Sequence, residues 1–490
     1  MLAGAALRIG LMFDRELSFD EAATAFFARL TMADLWGDTG RLETNPPLFY
    51  TLVAALDRMG LAAEFNRLAS IATDVGSIGL AGLLAHRLAL GWGRRFAAVA
   101  ASWLVATSPV MVDVSVEARA YAMLAMLGLA GVLQTVRVLD TRSGRDFVLL
   151  VLAEVAALYT HNTAVIMLAA LNGMAVLAWA GRPPQDMRLA RRWLAAQAAV
   201  GVAWLPWLPV VFGQAVDDLA QFWIPRPDLV ALRYAMQKIA GQPMVAWPQP
   251  LVDLVFMVLA ALGLVGVWTG VRQAGVRQAG MRQAGGRRDR GLAAGLAVIV
   301  LVGVPVATWL ISQWRPLMNG RVLLWLVPLF LVLVATALAW RPSWATPLLG
   351  VLVVLQLSTF PAWRAARQGE NWRDVAEMLR AGMRDGDALY LSTAPAVLLL
   401  AHHGWQPAGH ALYGQAEGRW YRRFPGTLLA PEVTAATLAK APRLWIVTRR
   451  DTPAHDALVG TLGATMAELR LQRGGPRRDS GIDVSVLTRR

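Results

Sequence analysis

Long apolar runs, separated by short arginine-rich segments, dominate the first 361 residues of the chain. Most of these runs approach the roughly 20 residues that a helix needs to cross a bilayer. Predicted spans lie at 67–86, 96–112, 120–137, 146–160, 162–180, 193–212, 246–268, 291–312, 322–338 and 344–361, and a shorter run occupies 1–13. The pattern predicts a polytopic α-helical membrane protein with about eleven spans.

The arginines between the runs indicate how the chain is oriented in the membrane. Four groups occur: Arg87, Arg94 and Arg95; Arg137, Arg142 and Arg145; Arg182, Arg188, Arg191 and Arg192; and the arginines of 272–290. Basic residues in short loops mark the cytoplasmic side. This orientation predicts that residues 14–66 form one long extracytoplasmic loop, with amphipathic helices near 19–36 and 47–59 on the membrane surface.

The hydrophobic pattern changes after residue 361. WRDVAEMLRAGMRDG (372–386) has helical periodicity, and DALYLS, RLWIVT and IDVSVLT are short runs typical of strands. The sequence therefore predicts a membrane domain over 1–361 and a small extracytoplasmic α/β domain over 362–490. Its connection order predicts three layers with a parallel sheet. A lid or acceptor-docking domain is the favoured interpretation, because no phosphate loop or nucleophile elbow occurs in it.

Composition supports a membrane protein and excludes two other classes. The 490 residues are 56% hydrophobic and 16% charged, with a mean hydropathy of +0.45. The net charge of +14 lies mostly between the spans and forms no single basic face, so no nucleic-acid partner is expected. The absence of cysteine from the sequence excludes a thiolate-ligated metal.

Polar residues from loops far apart in sequence fall together on the predicted outer side. They are Asp20, Glu21, Glu43, Asn45, Arg67, Asp113, Glu117, Arg119, His161, Arg315 and Arg321. Acidic and basic groups above apolar helices suit a site for an amphiphilic anion.

Two short motifs add local geometry to this side. In ETNPPLFY (43–50), Pro46 restricts Asn45 to extended conformations and Pro47 suits a first helical turn, so Asn45 is predicted to be an N-cap. SVEARAY (115–121) places Glu117 and Arg119 at the outer entrance of the 120–137 span.

Six motifs in order resemble the GT-C membrane glycosyltransferases, and most closely family 39, which includes protein mannosyltransferases and lipid A aminoarabinose transferases. The motifs are FDEAAT, TNPPLFY, Arg67 at the start of a membrane helix, VEARAYAML, YTHN and RPLMNGRVLLWLVP. They cover residues 14–340. The chain departs from the family pattern at Asn45, often histidine, at Ala120, often proline, and at Val322, often tyrosine.

The resemblance implies a reaction, a donor and a location. A polyprenyl-phosphate sugar would be the donor, and a glycan, lipid or protein of the bacterial envelope would be the acceptor. The enzyme would lie in the inner membrane, with its active site and C-terminal domain facing the periplasm. The leaving group is already a good anion and needs cations, whereas the acceptor hydroxyl needs a base.

The resemblance also implies roles for individual residues. Asp20 would be the base of an inverting transfer, Glu21 would orient the loop or bind sugar, and Glu117 would be a second carboxylate. The donor phosphate would be bound by Arg67, Arg119, His161 and Arg321, and the substrate loop would contain Asn45, Pro46, Pro47, Tyr50 and Tyr121. Some relatives use a divalent ion, but no dense acidic cluster occurs in this sequence, so a required metal is not favoured.

Each of these residues also has a purely structural interpretation. Asp20 and Glu21 would serve equally as N-terminal acids of the following helix. Glu117 and Arg119 would form a surface ion pair, His161 would be an ordinary turn residue, and Arg67 and Arg321 would be interfacial anchors.

Two other functions remain open from the sequence. Asp74 and Glu154 fall inside predicted spans, where charged residues are often functional, and they keep a transporter or flippase for a lipid-linked or anionic solute as an alternative. A glycan polymerase or ligase would share the lipid substrate.

Overall fold

A computed structural model describes residues 1–37, 43, 45–89, 93–180, 187–217, 226–240, 247–276, 299–314, 316–318, 320–339, 342–366, 370–392, 396–406, 411–414, 441–449, 466–470 and 482–489. Arg315, which the sequence places on the outer side, lies outside these residues. The chain divides into two compact units. The membrane unit comprises Met1–Met12, Thr44–Leu52 and Asn66–Trp363, and the α/β unit comprises Phe13–Glu43, Val53–Phe65 and Arg364–Arg490.

The helices, in chain order, are α1 Leu2–Leu11, α2 Phe19–Ala28, α3 Met32–Trp36, α4 Leu48–Asp57, α5 Arg67–Leu88, α6 Gly93–Thr107, α7 Pro109–Ser115, α8 Tyr121–Thr141, α9 Gly144–Leu158, α10 Ala164–Ala180, α11 Met187–Trp204, α12 Leu208–Asp217, α13 Leu229–Ala240, α14 Gln249–Val276, α15 Val304–Ile311, α16 Val327–Leu338, α17 Pro342–Leu357, α18 Phe360–Ala366, α19 Trp372–Gly382 and α20 Ala396–His402. Short 3₁₀ turns occupy Ala63–Asn66, Leu205–Trp207 and Leu324–Leu326, and a π-helical turn occupies Ile299–Gly303. These helices account for most of the predicted apolar spans.

Four helices in the described part of the chain are long and apolar enough to cross a membrane: Ala63–Leu88, Tyr121–Thr141, Met187–Gln214 and Ser343–Ala365. The bent pair α6 and α7 would add a fifth crossing, and shorter apolar helices accompany them. A total of about eleven spans therefore stays a prediction.

The predicted span 96–112 is not a single continuous helix. It breaks between α6 and α7, whose axes differ by 58°. Pro109 has no N–H to continue the ladder of α6, and Ser108 instead caps the new helix, since its Oγ accepts the Met111 N–H at 3.3 Å. A Ser-Pro pair inside an apolar run thus starts a second helix.

The core of the membrane unit is formed by small and branched apolar side chains. All residues of α16 are buried, and α16 packs against α5, α6 and α14. Helices α5 and α6 approach closely at Gly82, where a β-carbon would lie 2.6 Å from the Ser102 hydroxyl oxygen. Small residues at such crossings let apolar helices pack without large side chains between them.

A buried ion pair joins α1 to α5 and α6 inside the membrane unit. Arg8 and Asp74 are both fully buried, and Arg8 Nε lies 2.5 Å from Asp74 Oδ2. The same guanidinium donates to the carbonyl oxygens of Ala106, at 2.8 Å, and Val105, at 3.3 Å. These carbonyls belong to the last turn of α6, which has no following helical residues to satisfy it. Arg8 therefore donates hydrogen bonds to carbonyl oxygens at the end of α6 that have no helical donor.

The α/β unit contains a five-stranded sheet, with β1 Ala388–Leu391, β2 Ala411–Gly414, β3 Arg443–Arg449, β4 Met466–Arg470 and β5 Ile482–Arg489 in the order β2-β1-β3-β5-β4. Strands β1, β2 and β3 are parallel, as in the pairing of Leu389 with Leu412 and Trp445. The prediction of an entirely parallel sheet is wrong, because β5 runs antiparallel to both β3 and β4. A parallel β4-to-β5 connection would need a crossover of a dozen or more residues, and residues 471–481 are too few.

The α/β unit also includes much of the predicted extracytoplasmic loop of residues 14–66. Its segments 13–43 and 53–65 carry α2, α3 and part of α4, within the regions where the sequence predicts amphipathic helices. Leu17, Ala22 and Ala25 share one buried apolar cluster with Trp372 and Leu399. The loop and the C-terminal residues thus form one core, although the sequence assigns 14–66 and 362–490 to different domains.

Candidate functional site

The ETNPPLFY motif meets the YTHN turn in the membrane unit. Helix α4 begins at Leu48, whose N–H donates to the Tyr159 carbonyl oxygen at 2.9 Å. The prediction that Asn45 caps this helix is wrong, because α4 begins three residues after Asn45. The Leu48 amide that the Asn45 side chain would have capped is bound by Tyr159, and Pro47 has no N–H. Asn45, Pro46 and Pro47 are buried, and the Leu48 amide that follows them joins two loops that are remote in sequence.

Residues 117–121 form a compact bend that leads into α8. The Arg119 N–H donates to the Glu117 carbonyl oxygen at 2.7 Å, and the Ser70 hydroxyl of α5 donates to the Arg119 carbonyl oxygen at 3.0 Å. Arg119 Nη1 lies 3.4 Å from the Tyr50 hydroxyl oxygen, to which it donates. Glu117 and Arg119 are both buried, so their charges act in a weakly screened environment.

Arg321 brings a second cation to this bend from a distant part of the chain. Its Nη1 lies 3.9 Å from Glu117 Oε1, and its guanidinium carbon lies 5.6 Å from the centroid of the Tyr121 ring. The Arg321 side chain is 45% exposed, whereas the Glu117 side chain is 9% exposed. Arg321 therefore contacts a carboxylate and an aromatic ring while part of its surface remains accessible to an anion.

His161 lies beside Tyr121, with ring centroids 5.6 Å apart. Its Nδ1 accepts the Thr163 N–H at 3.2 Å, which assigns the proton of the neutral ring to Nε2. Burial, together with the Arg119 guanidinium, lowers the pKa of His161 to about 4. His161 is therefore neutral at physiological pH and would meet a phosphate as a hydrogen-bond donor rather than as a cation.

For the polyprenyl-phosphate donor that the sequence resemblance implies, this protonation state predicts how binding would depend on pH. The affinity for a polyprenyl phosphodiester, whose single negative charge does not titrate in this range, should stay level between about pH 5.5 and about pH 7.5. Binding of the labelled lipid to purified protein would measure it. A decline as the pH rises through about 6.5, absent from a His161→Gln variant, would show that His161 binds as a cation.

Lys238 is a member of the site that the sequence analysis missed. Its Nζ lies 3.6 Å from the position that a β-carbon on Gly320 would take, next to Arg321. Burial lowers its pKa, the Arg321 charge lowers it further, and Asp113 and Glu117 oppose this. The feature of the sequence that could have identified it is the scarcity of lysine, since Lys238 and Lys440 are the only lysines in the sequence. A lone lysine on a helix between predicted spans gives no periodicity that would have selected it.

Asp113, Glu117, Arg119, Lys238 and Arg321 form what we call the charged cluster. Asp113 is placed by the Trp363 indole, whose Nε1 donates to its Oδ1 at 3.2 Å. The cluster combines three basic with two acidic side chains, so it keeps a net positive charge while each acid faces a cation. Its members come from three separate segments of the membrane unit, residues 113–119, α13 and the residues before Leu324, and they lie next to the start of α8 and the end of α13. Such a group is suited to bind an anion at the ends of apolar helices.

Arg67, predicted to bind phosphate, is fully buried at the start of α5. Its Nη1 donates to the Met12 carbonyl oxygen at the end of α1. This contact gives Arg67 a structural role in joining α1 to α5.

Asp20 and Glu21 lie in the α/β unit, in the first turn of α2. Ser18 and Glu21 form a capping box: the Glu21 N–H donates to Ser18 Oγ at 3.3 Å, and the Ser18 N–H donates to Glu21 Oε2 at 3.0 Å. Arg15 also contacts Glu21, at 3.4 Å. The buried Glu21 therefore stabilises the start of α2, while the Asp20 side chain is half-buried beside it.

Glutamine at position 21 should preserve this function, because its amide oxygen accepts the Ser18 N–H equally well. We expect Glu21→Gln to keep the sugar transfer that the resemblance implies within about threefold of wild type, and Glu21→Ala to lose about 1 kcal/mol of helix stability. Assays of both variants in membranes, with thermal unfolding of the purified proteins, would measure this. A loss of transfer in Glu21→Gln comparable to that of a catalytic base would assign Glu21 to the chemistry.

Within the described residues, no group of three or more histidine, aspartate or glutamate side chains is arranged to hold a metal ion.

No protein-family model matches the chain, and no curated protein sequence matches it. Two solved structures are similar over nearly their whole length. ArnT from Cupriavidus metallidurans in the apo state is 14% identical, with a TM-score of 0.48, over 99% of this chain and 97% of that chain. ArnT from the same organism bound to undecaprenyl phosphate is 15% identical, with the same TM-score and coverage. A TM-score of 0.48 does not by itself establish a common fold, so the family stays a prediction.

Proposed function

We propose that the chain is a GT-C-type membrane glycosyltransferase that moves a sugar from a polyprenyl-phosphate donor to an acceptor of the bacterial envelope. The charged cluster is the observation that supports this most directly. It gathers Arg119, Lys238 and Arg321 from separate segments at the ends of apolar helices, where a lipid phosphate would lie. The order of the sequence motifs, which resembles that of the GT-C glycosyltransferases, supports this choice of enzyme class.

In this proposal Arg321 and Lys238 bind the donor phosphate. A guanidinium presents several donors in one plane and binds phosphate oxygens in pairs, while an ammonium acts as a compact charge. Both groups stabilise the negative charge that the phosphate carries away as the sugar departs. Glu117 holds Arg321 in place through their 3.9 Å contact, and the Tyr121 ring also contacts the guanidinium.

Asp20 is the proposed base. The acceptor oxygen forms a bond to the anomeric carbon while the bond from that carbon to the phosphate oxygen breaks, and the configuration inverts. The acceptor proton passes to the Asp20 carboxylate, and the polyprenyl phosphate leaves as an anion. No general acid is required, so one carboxylate suffices, in contrast to the pair that a glycoside hydrolase uses.

The transporter alternative rests on Asp74 and Glu154, and both have structural partners. Asp74 is paired with Arg8. Glu154 Oε2 accepts a hydrogen bond from the Gln197 amide at 2.9 Å. Gln197 Oε1 in turn accepts from the Asn172 amide, and Asn172 Oδ1 accepts from the Trp193 indole. Hydrogen bonds of this kind join helices in apolar surroundings, here α9, α10 and α11. These contacts favour the transferase over the transporter, and a glycan polymerase or ligase remains a variant of the same donor chemistry.

Removing either proposed phosphate contact should weaken donor binding. We expect Arg321→Gln and Lys238→Met each to lower the affinity for a polyprenyl-phosphate sugar by about 10- to 100-fold, since hydrogen bonds to charged groups contribute about 1.5–3 kcal/mol. Binding of radiolabelled donor and transfer of its sugar in membranes would both be measured.

Arg233→Gln is the matched control, because Arg233 is an exposed residue of the same helix as Lys238. It should bind donor as the wild type does. Donor affinity that is unchanged in both Arg321→Gln and Lys238→Met would remove the charged cluster from the donor site. Transport of labelled solute without sugar transfer would favour the rival function.

A further inference from the structure

The residues on either side of Asp20 are attached to the C-terminal part of the α/β unit. Phe19, its immediate neighbour, packs edge-on against the Trp372 ring, with centroids 5.5 Å apart and planes at 75°. Trp372 is the first residue of α19 and is almost completely buried. The buried face of α2 continues this contact, since α2 packs against α20.

Two ion pairs and a contact with a neutral histidine hold the segment that precedes α2. Arg364 Nε lies 2.7 Å from Asp14 Oδ2, and Arg364 Nη2 donates to Asp14 Oδ1 at 2.7 Å. Glu16 lies 3.6 Å from Arg373 Nε and 3.6 Å from His403 Nε2. Asp14, Glu16, Leu17 and Phe19 therefore all contact residues that follow position 363 in the chain.

A second contact fixes the far end of the same loop. His402 Nε2 lies 3.3 Å from Glu64 Oε1, and Ala63 belongs to the same buried cluster as Trp372. Burial and the neighbouring His402 lower the pKa of His403 to about 4, so His403 is neutral at physiological pH. The loop is thus held near both ends by α19 and α20.

We infer that the C-terminal α/β domain is a positioning scaffold for the loop of residues 14–66, which carries Asp20, and that Trp372 and Glu16 are positioning residues for Asp20. The inference rests on the proposed function, in which Asp20 is the base. It assigns the domain a role other than a lid or a docking site for the acceptor.

The physical reason is the small size of α2. A helix of ten residues is only marginally stable in isolation, so its position depends on what its apolar face packs against. Misplacing a catalytic group by about 1 Å can cost about 100-fold in rate. The contact between Phe19 and Trp372 is one residue from Asp20, so a change there should be transmitted to the carboxylate directly.

The experiment compares Trp372→Leu, Trp372→Phe and Glu16→Gln with Arg443→Lys as the matched control. Arg443 binds Asp387 and the Gly382 carbonyl oxygen elsewhere in the domain, so its substitution perturbs the domain without removing a contact to residues 14–22. Amide hydrogen exchange of residues 19–28, kcat and donor affinity would be measured on the full-length protein.

We expect Trp372→Leu to raise exchange in α2 by about tenfold and to lower kcat by about 10- to 100-fold, with donor affinity within about twofold of wild type. Glu16→Gln should show smaller changes of the same kind. Trp372→Phe should restore both values, because a phenyl ring keeps the edge-on contact. Arg443→Lys should leave exchange in α2 unchanged.

Unchanged exchange in Trp372→Leu would overturn the inference whatever the activity. Raised exchange with normal kcat would overturn the role in positioning Asp20. The exchange measurement does not depend on catalysis, so it stays informative if Asp20→Asn retains transfer and the proposed base is wrong.

Discussion

Asp20→Asn is expected to reduce sugar transfer by about 100- to 10,000-fold, the range lost when a general base is removed, while donor binding stays within about twofold. Asparagine keeps the size and the first-turn position of aspartate but accepts no proton. The proposed phosphate contacts, Arg321 and Lys238, belong to other segments of the chain, so the donor should still bind. Transfer of label from radiolabelled polyprenyl-phosphate sugars and equilibrium binding of the same lipids would separate the two effects.

Asp34→Asn provides the matched control for this experiment. Asp34 is an exposed first-turn acid of α3, also in the α/β unit, and its substitution should leave transfer unchanged. Wild-type transfer by Asp20→Asn would show that Asp20 only favours the start of α2 through the helix dipole. The transporter hypothesis would then become the better explanation.

The Arg8–Asp74 pair should have the largest effect on stability. Removing one partner of a buried ion pair typically costs about 3–5 kcal/mol, because the other charge is left without compensation. We expect Asp74→Leu to lower the free energy of unfolding more than Arg8→Met does. Asp74→Leu leaves a guanidinium, which cannot lose its charge, whereas Arg8→Met leaves a carboxyl group, which a proton can neutralise. Thermal unfolding of the purified protein in detergent would measure both.

The double variant Arg8→Met/Asp74→Leu should recover most of the lost stability and keep sugar transfer. Recovery will be incomplete, because the Val105 and Ala106 carbonyl oxygens at the end of α6 lose their donors. A double variant that folds stably but has lost activity would instead give Asp74 a functional role and revive the transport interpretation. Single variants with wild-type stability would show that the pair does not stabilise the helices.

Local patterns predicted much of the secondary structure. The predicted spans 67–86, 120–137 and 146–160 correspond to α5, α8 and α9 with shifts of a few residues at each end. YTHN is a turn between α9 and α10, as expected. Apolar periodicity and helix-ending residues act over a few positions, so they can be recognised without knowing the partners.

The same rules failed where a local signal was weaker than its context. Ser108 and Pro109 are two residues inside a long apolar run, and their effect on α6 and α7 was missed. Asn45 had the local features of an N-cap, but Tyr159 binds the amide it would have capped. Strand direction in the α/β unit depended on the short connection between β4 and β5.

The sequence by itself determined that this is a membrane protein with several apolar helices, and it selected Glu117, Arg119, Tyr121 and Arg321 before their contacts were known. Only the tertiary structure decided that Glu21 belongs to a capping box, that Arg8 neutralises Asp74 and that Lys238 joins the charged cluster. The reason is the distance along the sequence over which each property acts. Hydrophobicity and helix formation are properties of neighbouring residues, whereas the partner of a buried charge can be anywhere in the chain, and Arg8 and Asp74 are 66 positions apart.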